Sequence, residues 1–232
     1  MNFKHKAAAA AAIVALTGSA QAALFDRGGG MIYDSTRNIT WLADMNYPQS
    51  SGHSGTGVNA TGRMTWAAAT AWADNLVYGG FSDWRLPTLN PADTTCSSIF
   101  NPGGGFPNQY FGTGCTGGEL SGLFVTDLGN KANESVLNQV GDTAEQIANL
   151  ALFSNVQSDY YYSGTEYAPF PNVVWYFGTV VGGQYNEFGS LELYAVAVRP
   201  GDVAAAIPEP QTYALVLMGV GAVLLARRKR TR

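Results

Sequence analysis

The chain has 232 residues, thirteen basic and seventeen acidic side chains, a formal net charge of −4 and two cysteines. Both ends read as targeting segments, and without them residues 23–210 hold six basic and seventeen acidic residues, a net charge of −11. A body this acidic repels phosphate backbones and shows no basic stripe, which excludes nucleic acid as a partner, while roughly 190 residues suffice for one domain with its own core.

In chain order, Lys4 and Lys6 precede a ten-residue apolar run at 7–16 and the small-x-small site Ala20-Gln21-Ala22. The run is too short for a bilayer core that needs ~20 residues, so residues 1–22 read as a secretory signal peptide cut after Ala22. Residues 23–203 form the expected extracytoplasmic domain. Met31-Ile32-Tyr33 and Ile39-Thr40-Trp41-Leu42 are β-rich pieces around a turn-forming stretch, Asp34 to Asn38. A Gly- and Ser-rich loop over 50–62 follows. Trp66, Ala69, Ala73 and Leu76 then recur at helical spacing behind Thr65, a suitable N-cap, with Gly79-Gly80 expected to end the helix.

Residues 89–118 have no periodicity and contain Cys96 and Cys115. An exported context permits one disulfide between them, worth ~3 kcal/mol in the chain-entropy model. Tetrahedral metal binding is poorly supported, because His53 is the body's single histidine. Leu120, Leu123, Phe124 and Leu128 make a second helical stripe, with Gly129 at the C′ position. Residues 131–149 read as a short helix or a surface insertion. In 160–200, "NVVWYFGTVVGG" and "LELYAVAVRP" read as strands, with "GGQYNEFGS" as a long turn between them. The expected fold class is α+β, with two or so helices packed on an antiparallel sheet.

The linker at 204–210 contains Pro208-Glu209-Pro210. Beyond it, residues 213–226 are apolar and would rise about 21 Å as a helix, short for a lasting span. Arg227, Arg228, Lys229, Arg230 and Arg232 follow. Positive flanks stay cytoplasmic, so residues 211–232 read as a C-terminal transmembrane helix whose body faces the side to which the signal peptide sends it. Either a permanent anchor or a transient handle fits these residues.

No catalytic constellation stands out, and the chain is expected not to be an enzyme. His53 sits in a Gly/Ser loop. Glu166, Glu187 and Glu192 offer carboxylates for glycoside cleavage, but in so acidic a chain such a pairing is easily imagined. No cofactor is expected; loop Asp and Asn side chains could hold calcium, without EF-hand spacing. Tyr160, Tyr162, Trp175 and Tyr176 form a candidate ligand surface on which sugar rings could stack, although alternation along a strand would place half of them in the core.

Two resemblances accompany these readings. "GGFSDWRLPT" (79–88), "YYYSGTEYAP" (160–169), "VWYFGTVVGG" (174–183) and "AVAVRPGD" (195–202), with "NITWL" and "MTWAAATAWADNL" upstream, resemble the DUF1566 family, also called the Lcl C-terminal domain. That resemblance spans roughly 31–202 and implies an extracytoplasmic, C-type-lectin-like fold. The segment "LNPADTTCSS" departs from the family, which puts in doubt any ligand site transferred to that loop. Within the resemblance, Asp83, Trp84, Arg85, Leu86, Pro87, Thr88 and Arg199 hold a tight turn against the sheet. A buried Arg there needs a carboxylate from Asp83, Asp202 or another acid, and Trp84 and Trp175 would be core anchors. The tail, with Pro208-Glu209-Pro210, an apolar stretch and a basic end, resembles PEP-CTERM sorting signals. This implies the Sec machinery and exosortase as partners, transient anchoring in the inner membrane facing the periplasm, and a destination at the cell surface or matrix. Exosortase systems often accompany exopolysaccharide production, which makes a matrix glycan the expected ligand of a non-catalytic lectin-like domain. A secreted carbohydrate-active enzyme and a purely structural surface protein are the alternatives.

Overall fold

The computed structural model describes residues 24–203. The expected signal peptide, linker and C-terminal transmembrane helix lie outside these residues, and among the described residues no helix is long and apolar enough to cross a membrane. Among the described residues, nine strands run in order as β1 (Leu24–Asp26), β2 (Met31–Asp34), β3 (Ile39–Leu42), β4 (Ser98–Phe100), β5 (Gln109–Thr113), β6 (Tyr160–Glu166), β7 (Val173–Gly178), β8 (Gly183–Phe188) and β9 (Val198–Pro200). They form two antiparallel sheets, ordered β1-β2-β3-β9 and β4-β5-β8-β7-β6. The helices are short: α1 (Tyr47–Ser50), α2 (Trp66–Asp74), α3 (Glu119–Ser121) running into a π-helical turn (Gly122–Asp127), and α4 (Ala144–Leu150). The architecture is mostly β with some helix, rather than helices on a single sheet.

Local chemistry explains most of these elements. The β2–β3 turn forms because the Asp34 carboxylate accepts from the backbone N–H groups of Thr36 and Arg37, each at 3.0 Å, while Asn38 adopts the left-handed conformation. Thr65 caps α2 by accepting from the Ala68 N–H. The buried stripe of α2 is Ala69, Trp72 and Ala73, and the helix ends at Asp74. Gly79-Gly80 does not terminate it but turns the chain between Tyr78 and Phe81, which exchange backbone hydrogen bonds. Helix α4 has a full capping box from Thr143 and Gln146. It settles the polar 131–149 stretch as a loop followed by a helix.

The second helical stripe is observed, but as a π-helix. Leu128 N–H donates to Leu123 C=O, five residues back. Gly122 opens this turn, and a Cβ there would overlap the Arg37 guanidinium. Close approach, not backbone freedom, demands glycine at that position.

Three strand expectations need correction. "GGQYNEFGS" is not a turn: Gly183–Phe188 is the central strand β8, with Tyr185 and Glu187 on the open face and Gln184 buried on the other. Residues 89–118 contain the hairpin β4–β5, closed by the Cys96–Cys115 disulfide. "LELYAVAVRP" is a strand only over Val198–Pro200; the rest is an extended seam joining the sheets. Tyr194 exchanges backbone hydrogen bonds with Tyr160 and Tyr162 at the edge of the large sheet. Three residues on, Ala197 C=O accepts from Leu42 N–H of the small sheet at 3.1 Å. Leu193 to Val198 are all buried, and buried on every side they carry no alternation. A single core joins both sheets, with Phe124 stacked on Phe177 at 5.4 Å and tilted against Tyr161 at 5.7 Å.

Candidate functional site

The outer face of the large sheet is built by cross-strand register. Tyr176 lies opposite Tyr162 on one side and Tyr185 on the other, and Tyr160 sits opposite Gly178, so all four tyrosines point to one face. Tyr160 and Tyr176 meet edge-to-face at 5.4 Å, and Tyr176 and Tyr185 lie 6.0 Å apart. Burial first, then the neighbouring phenols and Glu187, push the Tyr176 hydroxyl up to about 12, so it remains a neutral donor. Two residues along, Glu166, Val174 and Glu187 form a second row on the same face. This row leads into a cleft of about 460 Å³ lined by Trp66, Glu166, Asn172, Val174, Phe188 and Ser190, among others. The Trp66 indole is fixed as a wall by donating from Nε1 to Ser163 C=O at 2.8 Å. Phe188 is 59% exposed, a large apolar ring facing water at the rim.

Two of the four expected surface aromatics belong elsewhere. Tyr162 and Trp175 are both fully buried. Tyr162 is covered by the chain at Leu191, whose C=O accepts its hydroxyl at 2.6 Å. Trp175 points to the opposite face, into the core, against Tyr167. Tyr160 and Tyr176 remain outward, and Tyr185, Trp66 and Phe188 complete the aromatic surface. The run "YYY" hides this division, because alternation turns Tyr161 to the core and a neighbouring extended segment covers Tyr162, leaving Tyr160 to water.

The "WRLPT" element is extended rather than a tight turn, with Arg85 and Val198 exchanging backbone hydrogen bonds at 2.8 and 2.9 Å. Arg85 pairs with Glu119, Nη1–Oε2 2.8 Å and Nη2–Oε1 2.7 Å, not with Asp83. Burial works against Glu119, but the Arg85 guanidinium and the Thr88 N–H hold its carboxyl below the usual range. Asp83 instead takes Arg199, Nε–Oδ1 2.8 Å and Nη2–Oδ2 3.0 Å, and this bond lowers the Asp83 pKa. The Arg199 guanidinium also lies 4.0 Å from the Phe81 ring centre. Trp84 is buried, with Leu86, beneath this element, and Pro87 C=O accepts from Gly164 N–H at 2.8 Å. These groups clamp backbone to backbone.

A third ion cluster has no sequence signal of its own. Arg37 bridges Asp34 and Asp127, at 2.5 and 2.6 Å, and both carboxylates are almost wholly buried. Two acids share one cation, so burial raises Asp127 to about 6 despite the attraction of Arg37. The cluster ties the β2–β3 turn to the π-helical turn.

Other candidates resolve as structure. Asp93, Cys96 and Cys115 lie within 4.8 Å of one another. The sulfurs are joined to each other, however, and Asp93 accepts from the N–H groups of Thr95, Thr116 and Gly117. In the 131–142 loop, the Lys131 ammonium meets the Asp142 carboxylate and donates to Val140 C=O. His53 is exposed beside a groove of about 480 Å³ whose lining holds no carboxylate to orient it.

The two ends of the domain lie on the opposite edge strands of the small sheet. Leu24, Asp34, Ile39 and Pro200 form one row across the small sheet, and Arg27 grips Asp202 through Nε–Oδ1 at 2.8 Å and Nη2–Oδ2 at 2.7 Å. Beyond Val203, the PEP-CTERM protein-sorting motif matches residues 206–230. The chain carries an exosortase sorting signal. Such a signal indicates exosortase-dependent export to the cell surface, with transient membrane anchoring and exosortase-mediated processing. Pro208, Glu209, Pro210, Arg227 and Arg228 of the PEP-CTERM tail, and Ala22 at the other end, lie outside the described residues. No curated protein and no solved structure matches the chain.

Proposed function

We propose that the chain is a non-catalytic protein of the cell surface or extracellular matrix whose lectin-like domain binds exopolysaccharide. The reading is supported above all by the outward row Tyr160, Tyr176 and Tyr185 running toward the cleft walled by Trp66 and Phe188. Aromatic rings that expose an apolar face beside hydroxyl and carboxylate groups suit sugar rings, which present C–H faces rimmed by hydroxyls. The DUF1566 resemblance at Gly79–Thr88, Tyr160–Pro169 and Ala195–Asp202 accords with a C-type-lectin-like domain, and the sorting motif accords with display where matrix glycans are found. No cofactor enters this reading. In it, the disulfide and the ion-paired clamps keep the domain folded outside the cell.

A secreted carbohydrate-active enzyme is the second reading, favoured by one observation. Glu166, which lines the cleft, and Glu187, beside it, flank Val174 in a single row, two strands apart and so about 10 Å between backbones. Paired carboxylates across a groove are the equipment of glycoside hydrolysis. One experiment separates the readings: the exported protein is incubated with the exopolysaccharide of its host. Retention on the polymer without new reducing ends is the expected outcome. Release of oligosaccharides would instead establish the enzyme, and absence of retention would leave a purely structural protein.

A further inference from the structure

Resting on the glycan-binding reading above, we propose that the tyrosine face takes a glycan bearing free amines, a polymer of de-acetylated amino sugars, rather than one bearing carboxylates or phosphates. The first observation is where the positive charge has gone. The described residues contain six basic side chains, and every one is ion-paired: Arg27 with Asp202, Arg37 with Asp34 and Asp127, Arg63 with Asp159, Arg85 with Glu119, Lys131 with Asp142, and Arg199 with Asp83. An anionic sugar would find no uncompensated cation here, and would approach against the field of sixteen acidic residues in the same span.

The second observation is the chemistry of the face. None of the five strands of the large sheet contains a basic residue. The aromatic row Tyr160, Tyr176 and Tyr185 runs into a row that holds Glu166 and Glu187, and Glu166 is exposed at the cleft. Glu187 spends one oxygen on the Phe188 N–H, at 2.9 Å, and its other oxygen is free to accept. A sugar ammonium seated here would meet the negative faces of the tyrosine rings and a charge-assisted acceptor on either side of Val174, while the sugar ring packs on Trp66 or Phe188. An acetylated amine loses the charge and both of these attractions but keeps the ring stacking. The carboxylates therefore set specificity, and the aromatics set binding as such.

The test uses the exported, processed protein and three probes: glucosamine hexamer, N-acetylglucosamine hexamer and galacturonic acid hexamer, titrated by calorimetry at pH 6. The amine hexamer is expected to bind about tenfold more tightly than its acetylated counterpart at low salt, and that gap is expected to close at 0.5 M NaCl, where the Debye length is only about 4 Å. In the double variant E166Q/E187Q the amine hexamer is expected to fall to the affinity of the acetylated one, with acetylated binding unchanged. Equal affinity of the amine and acetylated hexamers, or tighter binding of the uronate, overturns the amine preference and leaves the glycan reading standing. No heat from any hexamer, with Y176A/Y185A equally silent, removes both. The salt series on the unaltered protein decides the matter even if the double variant fails to fold.

Discussion

The two sheets handle charge in opposite ways. Around the small sheet, three of the domain's six cations are used as rivets: Arg27 at its edge, Arg37 in its hairpin turn and Arg199 in β9, each held by one or two carboxylates. The strands of the large sheet contain no cation, and their outer face carries tyrosines and glutamates instead. Fixed ion pairs define a scaffold, whereas partly exposed rings and accepting carboxylates have capacity left over. Under the proposed function, the small sheet holds the chain ends and the large sheet meets the ligand.

The strongest way to break this contrast is at Arg37. Arg37→Ala leaves Asp34 and Asp127 buried without their cation, and a loss of about 3–5 kcal/mol in urea unfolding is expected. A loss below 1 kcal/mol would mean that the cluster is not a rivet. Next comes the disulfide that closes the edge hairpin of the large sheet. Cys96→Ser with Cys115→Ser is expected to lower stability by about 3 kcal/mol, with glycan retention unaffected when the variant is assayed below its unfolding temperature.

Asp127 gives a pH signature of comparable size. Its pKa is raised to about 6 by burial, above its unfolded value, so between pH 4 and 6 the unfolded chain holds fewer protons at this site than the folded one. Stability from this group is thus present at pH 4 and lost as pH rises through 6, by roughly 3 kcal/mol at most. Asp83, Asp93 and Glu119 have lowered values and act the other way, in a separate window: their contribution is present above pH 4 to 5 and lost on acidification below it. Asp127→Asn should flatten the pH 4–6 slope in thermal unfolding and leave the acid limb in place; an unchanged slope would show that another group titrates there.

The smallest stability effects are expected on the large sheet's outer face. Tyr185→Ala should cost about 1 kcal/mol or less, because the side chain is partly solvated. In the same variant, retention on exopolysaccharide should drop about tenfold, which a merely structural tyrosine would not do. Loss of stability without loss of retention would reverse the roles given to the two sheets.

Much of the scaffold was legible in the sequence, and for local reasons. The cap at Thr65, the stripe through Leu120, Leu123, Phe124 and Leu128 ending at Gly129, and the β2–β3 hairpin all depend on residues within a few positions of one another. Two cysteines leave one pairing. The site was legible only in part. Strand β8 reads as a turn in sequence because its outward tyrosine and glutamate stand between glycines at both ends. The buried run at 193–198 reads as a strand because burial on all sides produces the same unbroken hydrophobicity. The Arg85 partner could not be chosen from sequence, since Asp83 is two residues away and Glu119 is thirty-four.

By itself the sequence determined the sorting signal, the single disulfide, the acidic balance and helix α2, because each is set by composition or by neighbours along the chain. Only the tertiary structure decided which carboxylate meets which arginine, and which tyrosines of the 160–162 run reach solvent. Those outcomes depend on strand register and on a segment some thirty residues away that covers Tyr162 and leaves Tyr160 open. A local pattern fixes the direction of a side chain relative to its own strand. Whether water or another part of the protein lies in that direction is settled by contacts distant in sequence.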